Sequence, residues 1–388
     1  MFWLNLLAFL LMIVGNCEVL VALVNRSHSY GIRLTMLRPL RIGHHVWMFV
    51  FPLLLVWFVG VRGPGLLLGE SRAGAWTDVS PGWGVYLLMC AIGSVMLIAG
   101  SVRRRFRVIP GAQLSNHSHT VDIEGELGRR PVVSGRHERL ARLPFNENFR
   151  LELSDKHYRL PACPPAWDGL SILHVSDLHF IETIEREHFE RVIELGAGLN
   201  PDLVVFTGDL LDAQECVEWL PTTLGRLNAP LGCYFILGNH DWYLDDHAIR
   251  AKLAELGWTD ASSRCLTIEH DGRPLAIAGL ELPWMGEYPD FSGAPEDAFR
   301  LLLSHTPDHI AWARSQQVDL MLSGHNHGGQ VVLPVVGPVY SPSRYGCKYS
   351  AGAFWEDPTL LYVSRGISGR HPLRYNCLPE MTKLVLRH

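Results

Sequence analysis

The chain has 388 residues, 48% of them hydrophobic, and a formal net charge of −5. That length leaves room for one large domain plus appendages, and the slight acidity argues against nucleic acid as the main partner, because backbone binding demands a positive surface. The eight cysteines, at 17, 90, 163, 216, 233, 265, 347 and 377, follow no pairing pattern, so free thiols in a reducing compartment are expected.

Residues 1–101 read as a membrane region. Phe2 to Val24 is nearly uninterrupted apolar sequence, broken by Asn5, Asn16 and Glu18. Val46 to Val61, with Pro52 inside, is a second run, and Trp83 to Ala99 is a third. A spanning helix needs about 20 apolar residues, with about 17 as a lower bound. The first run meets that outright and the others with their flanks, so about three helices are expected. A cleaved leader fits the first run poorly, since the run lacks a basic start and is too long. Glu18 is costly in hydrocarbon and is expected against another helix or a polar cavity. Arg26, Arg33, Arg38 and Arg41 follow the first run, and Arg103, Arg104, Arg105 and Arg107 follow the third. Between the second and third, Arg62 and Arg72 are offset by Glu70 and Asp78. Basic residues mark the cytoplasmic side. The pattern predicts a multi-pass protein of the inner (plasma) membrane, with the N-terminus outside and everything beyond Ser101 in the cytoplasm.

Residues 102–167 read as a connector, with basic clusters, the polar stretch Gln113 to Thr120, Pro161 and Pro164-Pro165. Alternating Phe149, Leu151 and Leu153 predict an edge strand within 145–160. His117 and His119 are read as part of a polar linker rather than a metal site.

From 168 to 388 the pattern is that of a folded domain. Helices are predicted over Glu185–Leu195 and Asp246–Leu256, from apolar residues at helical spacing. Strands are predicted over Arg264–Ile268, Leu275–Leu280, Val331–Val336, Leu360–Val363 and Lys383–Leu386. Early α/β alternation followed by β-rich sequence fits two packed sheets covered by helices, an α/β class.

Five short motifs stand at the ends of apolar runs in this region. They are Asp177-Leu178-His179, Gly208-Asp209, Gly238-Asn239-His240-Asp241, His305 and Gly324-His325-Asn326-His327. Loops at strand ends are where rigid scaffolds place chemistry. Imidazoles mixed with hard oxygen donors suit a pair of divalent transition metals, with Mn, Fe and Zn all acceptable. Two neighbouring cations repel, so a shared carboxylate must bridge them, and Asp209, mid-relay on a Gly turn, is the candidate. A water between such cations becomes acidic enough to attack at neutral pH while the metals clamp a phosphoryl group. His240 is expected to donate a proton, its ring oriented by Asp241.

In this order the motifs resemble the signature of the calcineurin-like metallophosphoesterases, over roughly residues 168 to 388. The resemblance is nearest to the YkuE-like branch, through Leu303-Ser304-His305-Thr306-Pro307-Asp308, Gly324-His325-Asn326-His327-Gly328-Gly329-Gln330 and the tail around Ser364-Arg365-Gly366, Leu373-Arg374-Tyr375-Asn376 and Pro379-Glu380. It implies a four-layer α/β/β/α sandwich preceded by the α-helical transmembrane region. It further implies one metal on Asp177, His179, Asp209 and His327, a second on Asp209, Asn239, His305 and His325, and His240 over the phosphoryl oxygens.

The function expected is a membrane-anchored, binuclear-metal-dependent phosphohydrolase. Its leading substrate class is a lipid-linked phosphoester or pyrophosphate of the UDP-diacylglucosamine type. A broad phosphodiesterase or phosphoprotein phosphatase is the alternative, and a non-catalytic membrane sensor is a third reading. Trp242-Tyr243-Leu244 and Leu282-Pro283-Trp284-Met285 are expected to wall the cleft or to contact substrate. Arg365 and Arg374 are candidates to pair with phosphate oxygens. His174, His188, His247, His270 and His309 are expected at the surface or in packing, and Asp212 and Asp245-Asp246 as helix caps or solvated groups.

Overall fold

The computed structural model describes residues 2–57, 80–135 and 137–388. They form two compact units: Met1–Arg107 with Pro334–Lys348, and Val108–Leu333 with Tyr349–His388.

The first unit is built on helices α1 (Phe2–Ser27), α2 (Leu34–Leu55) and α3 (Pro81–Arg105). Among the described residues, Trp3–Ser27 and Pro81–Arg105 are long and apolar enough to cross a membrane. At 1.5 Å per residue each is about 37 Å long. α2 falls short of that standard because Arg38, Arg41, His44 and His45 occupy its first half. The last residues of the second apolar run, 58–61, lie outside the described residues, as do Arg62, Glu70, Arg72 and Asp78. Leu7, Leu10, Leu88, Ile92 and Val95 are all about half exposed or more, an apolar exterior that fits a transmembrane region. Inside, α1 and α3 meet at Gly15, where an added Cβ would collide with the Cys90 carbonyl. Small residues let membrane helices approach this closely. Tyr86 donates to Asn16 Oδ1 at 2.6 Å and accepts from Trp47 Nε1 at 2.6 Å. That chain ties the three helices with polar bonds.

The second unit holds two sheets. One runs β1 (Gln113–Asp122), β2 (Arg150–Arg159), β3 (Ser171–Val175), β4 (Leu203–Thr207), β5 (Cys233–Ile236) and β6 (Trp258–Asp260). The other runs β7 (Cys265–His270), β8 (Arg273–Leu280), β9 (Phe299–Ser304), β10 (Leu320–Ser323), β11 (Gly352–Glu356) and β12 (Thr359–Val363). The last strand, β13 (Glu380–Arg387), returns to the first sheet, giving the orders β1-β2-β13-β3-β4-β5-β6 and β11-β12-β10-β9-β8-β7. β3, β4 and β5 are mutually parallel, as are β8, β9 and β10. β3 and β4 are buried along their whole length, the mark of a parallel strand covered on both faces.

Strand alternation divides the core in two. Leu173, Val175, Val204 and Phe206 face α4 (Arg186–Ala197) and α5 (Asp246–Glu255) through Phe189, Val192, Ile193, Ile249 and Leu253. Ile172, Leu203, Val205 and Ile236 face the second sheet through Ile277, Leu301, Leu303, Leu322 and Tyr362. On that sheet's outer side lies α6 (Ile310–Ser315), which completes the α/β/β/α sandwich.

From Val108 on, the segment read as a connector is part of this second unit. The polar stretch at Gln113 forms β1, the true edge strand, and β2 lies one place inside it, paired in parallel with β13. β1 is exposed along most of its length, so no apolar alternation announces it; backbone pairing to β2 makes it a strand. His117 and His119 lie on this exposed strand. The strand predicted over Val331–Val336 shrinks to Val332–Leu333, and Pro334 onward belongs to the first unit. All eight cysteines are unpaired.

His188 is buried between Phe149 and Phe189, and neither ring nitrogen has a hydrogen-bond partner among the described residues. Burial pushes it down to about 4. Because the unfolded chain protonates near the ordinary value of 6.5, stability is full above that pH and is lost as pH falls toward 4. The loss is roughly 3 kcal/mol for a shift of this size. In urea titrations, His188→Leu is expected to unfold at higher denaturant than wild type at pH 5, with the gain shrinking at pH 8; equal gains at both pH values would contradict this.

Candidate metal centre and active site

Five strands end on one rim and deliver the motif side chains. β3 leads to Asp177 and His179, β4 to Asp209, β5 to Asn239 and His240, β9 to His305 and β10 to His325 and His327. The backbone at these positions is unusual. Asp177, His179, Asp209, His325 and His327 have φ of 54°, 44°, 57°, 68° and 49°. Left-handed backbone is costly in non-glycine residues and persists where the surroundings impose it for a task.

The side chains converge tightly. Ligand atoms of Asp177, His179, Asp209 and His327 lie within 4.8 Å of one another, and those of Asp209, His305 and His325 form a second such group. Asp209 belongs to both. His179 Nε2 and His305 Nε2 stand 3.4 and 3.3 Å from Asp209 Oδ2. His327 Nε2 lies 3.2 Å from His179 Nε2 and 3.6 Å from Asp177 Oδ1. In the second group His305 Nε2 sits 3.1 Å from Asn239 Oδ1 and 3.2 Å from His325 Nδ1. Two donors about 2.1 Å from one cation and about 100° apart are about 3.2 Å from each other. The spacings are those of coordination shells, and the donor set fits divalent metal.

Hydrogen bonds behind the rim aim these donors. His305 Nδ1 donates to the Thr207 carbonyl at 2.7 Å, which leaves Nε2 facing inward. The Asp177 carboxylate accepts the His325 backbone N–H at 3.0 Å, and Asp209 Oδ1 accepts that of His240 at 2.8 Å. Any side chain at Gly238 would strike the Asp209 carboxylate.

Two fully buried carboxylates at one point make a strong negative potential. Burial raises Asp177, and the nearby Asp209 adds to that, with His305 opposing. Asp209 is held well below the usual range: burial would raise it, but His305, His240 and His179 outweigh burial. Conversely, burial would lower His305, yet Asp209 and Asp177 lift it to about 9. His327 is driven well below its ordinary value by burial and by His179, so it offers a free lone pair.

His240 carries the clearest correction. Asp241, expected to orient its ring, instead accepts backbone N–H groups of Leu210, Leu211 and Gly238 at 3.0, 3.0 and 2.8 Å. Asp241 locks two motif loops together; burial and the neighbouring Asp209 raise it to about 6. The ring is held by Asp212, whose Oδ1 accepts from His240 Nδ1 at 2.5 Å and whose Oδ2 lies 3.1 Å from His179 Nδ1. Sequence reading passed over Asp212 as a cap; its spacing after Gly208-Asp209 was the available signal. Burial would lower His240, but Asp212 and Asp209 raise it to about 9. It holds its proton at neutral pH.

The arginines also change places. Arg365 is tied to Glu152 at 2.7 Å and Glu380 at 2.5 Å. Arg374 is fully buried and donates to the Ser368 carbonyl at 2.5 Å. Both are structural. Arg370, which no motif marked, is the arginine whose charge acts on His240. Trp284 walls the second group, its ring 4.9 Å from His325 and 5.5 Å from His305, whereas Tyr243 is 39% exposed beside Trp242.

Known proteins are similar to this chain over the region that forms the rim. The calcineurin-like phosphoesterase profile matches residues 170–329. The uncharacterized metallophosphoesterase YkuE of Bacillus subtilis is 34% identical over 63% of this chain and 88% of its own length. Phosphodiesterase YaeI of Escherichia coli is 30% identical, covering 55% of this chain and 81% of that protein. UDP-2,3-diacylglucosamine pyrophosphatase LpxG of Chlamydia muridarum is 26% identical, covering 60% and 88%. Likeness along nearly the full length of YkuE, with the family profile covering the strands that carry the rim, means that the chain belongs to the calcineurin-like phosphoesterase family and is a metal-dependent phosphoester hydrolase.

Proposed function

We propose a membrane-anchored hydrolase in which Asp177, His179, Asp209 and His327 hold one divalent cation and Asp209, Asn239, His305 and His325 a second. The carrying observation is that Asp209 belongs to both ligand groups. Bound there, Mn, Fe or Zn would supply Lewis-acid activation of water and charge neutralisation of the phosphoryl group. The protein's own part is to aim and protonate. His240, charged and held by Asp212, gives its proton to the leaving oxygen. Asp241 keeps the loop bearing Asn239 and His240 in place by bonding the loop after Asp209.

The substrate class is a lipid-linked phosphoester or pyrophosphate. Two apolar helices in the same chain support it, as does similarity to a pyrophosphatase named for UDP-2,3-diacylglucosamine. Basic residues after α1 and in the last turn of α3 support a multi-pass inner-membrane topology with the catalytic unit cytoplasmic. Similarity to YaeI favours, as a second reading, a phosphodiesterase of wider choice. Chelation should abolish turnover of bis-p-nitrophenyl phosphate and added Mn should restore it, while a UDP-diacylglucosamine substrate in mixed micelles is turned over at least about tenfold more efficiently than the soluble diester. Equal efficiency on both would remove the lipid assignment and leave the diesterase reading.

A further inference from the structure

Pro334–Lys348 has an unusual composition for a loop in an acidic protein. It contains no carboxylate, two cations (Arg344 and Lys348), two tyrosines and three valines. It leaves the catalytic sequence shortly after His327 and returns at Tyr349, whose carbonyl accepts the Asn326 side-chain amide at 2.8 Å. Yet it packs with the helices as part of the first unit.

The helix ends grip its backbone. Asn25, 3% exposed near the end of α1, donates Nδ2 to the Val339 carbonyl at 3.3 Å and accepts the Ser341 N–H at 3.1 Å. Arg104, in the last turn of α3, donates to the Val336 carbonyl at 3.0 Å. The His28 ring meets Tyr340 edge-on at 6.4 Å. With its backbone held this way, the segment buries the wrong side chains for a loop in water. Ser341 and Ser343 are fully buried, whereas Val335 is 93% and Tyr340 43% exposed. The segment bonds the basic end of α3, Arg103-Arg104-Arg105, which fixes it at the depth where a spanning helix leaves hydrocarbon. Tyrosine and cations concentrate at that depth, and a stretch whose own residues include two exposed cations and no carboxylate complements anionic headgroups.

We infer that Pro334–Lys348 is a membrane-interface element that lays Val335 and Tyr340 into the headgroup layer of an anionic bilayer, latched at that depth by Asn25. The inference rests on the reading that α1 and α3 span a bilayer. It makes the stretch that continues from the His325–His327 loop a lipid-contacting one, as suits an enzyme taking substrate from that surface.

The test uses the full chain in phosphatidylcholine–phosphatidylglycerol nanodiscs, with the photocrosslinker p-benzoylphenylalanine replacing Val335, Leu88 or Asp271 in turn. Leu88 is 61% exposed on α3, and Asp271 lies exposed on the catalytic unit. Intact mass after irradiation should show lipid adducts at Val335 and Leu88, about tenfold above Asp271. Adding Asn25→Ala should cut the Val335 adduct several-fold and leave that at Leu88 unchanged. Labelling of Leu88 without Val335, crosslinking of Val335 to another protein chain, or equal labelling of Asp271 would overturn the inference. An undiminished Val335 adduct in Asn25→Ala would overturn the latch. Failure of Leu88 itself would overturn the membrane-spanning reading and the inference with it.

Discussion

Asp209→Ala is expected to abolish phosphoester hydrolysis and to leave the purified protein with less than one bound cation per chain. Asp209 is the one carboxylate common to the two groups proposed to hold metal, so its loss would remove an anionic donor from each at once. It also leaves His179 and His305 facing one another across the point that Oδ2 occupied. Removing a different ligand, as in His325→Ala, takes a neutral donor from one group only and should spare part of the metal content. Metal analysis of both variants, alongside circular dichroism to show that they fold, separates a bridging role from a merely buried one. Full metal content in folded Asp209→Ala would contradict it.

His240→Ala should lower kcat by about 10²- to 10⁴-fold, the usual worth of a positioned acid or base, with metal content unchanged. The side chain gathers with His179 and Asp212 rather than with either group that contains Asp209; its backbone N–H donates to Asp209. Its proton is held by Asp212 and Asp209 against burial, which is the state a donor to a leaving oxygen needs. The defect should be largest for substrates with a poor alkoxide leaving group and small for p-nitrophenolate, which departs without protonation. A uniform loss across leaving groups would assign His240 to substrate binding instead. Asp212→Asn should show the same leaving-group dependence in weaker form.

Much of the rim was legible because each side chain it gathers sits in a short motif just after a buried, largely apolar strand. Ser171–Val175 and Leu203–Thr207 are buried, mostly apolar strands that each end two residues before Asp177 and Asp209 respectively. What the sequence hid is what depends on contacts between distant segments. The partner of His240 is Asp212, from the β4 loop, rather than the adjacent Asp241. Adjacency in sequence misleads here because Asp241 turns back to cap the loop after Asp209. β1 was invisible because its side chains are mostly exposed and its strand character comes only from pairing with β2. Val331–Val336 read as a strand through its valines, yet helix-end side chains, not a neighbouring strand, take the Val336 and Val339 carbonyls. Arg365 and Arg374 looked available for phosphate because composition does not reveal that Glu152, Glu380 and the Ser368 carbonyl already occupy them.

Anomalous diffraction from crystals grown with manganese, iron or zinc tests the two-cation centre most directly. Two peaks about 3.5–4 Å apart, on either side of the Asp209 carboxylate, are the expected result. A single peak touching Asp209, or two ions that do not share it, would contradict the account.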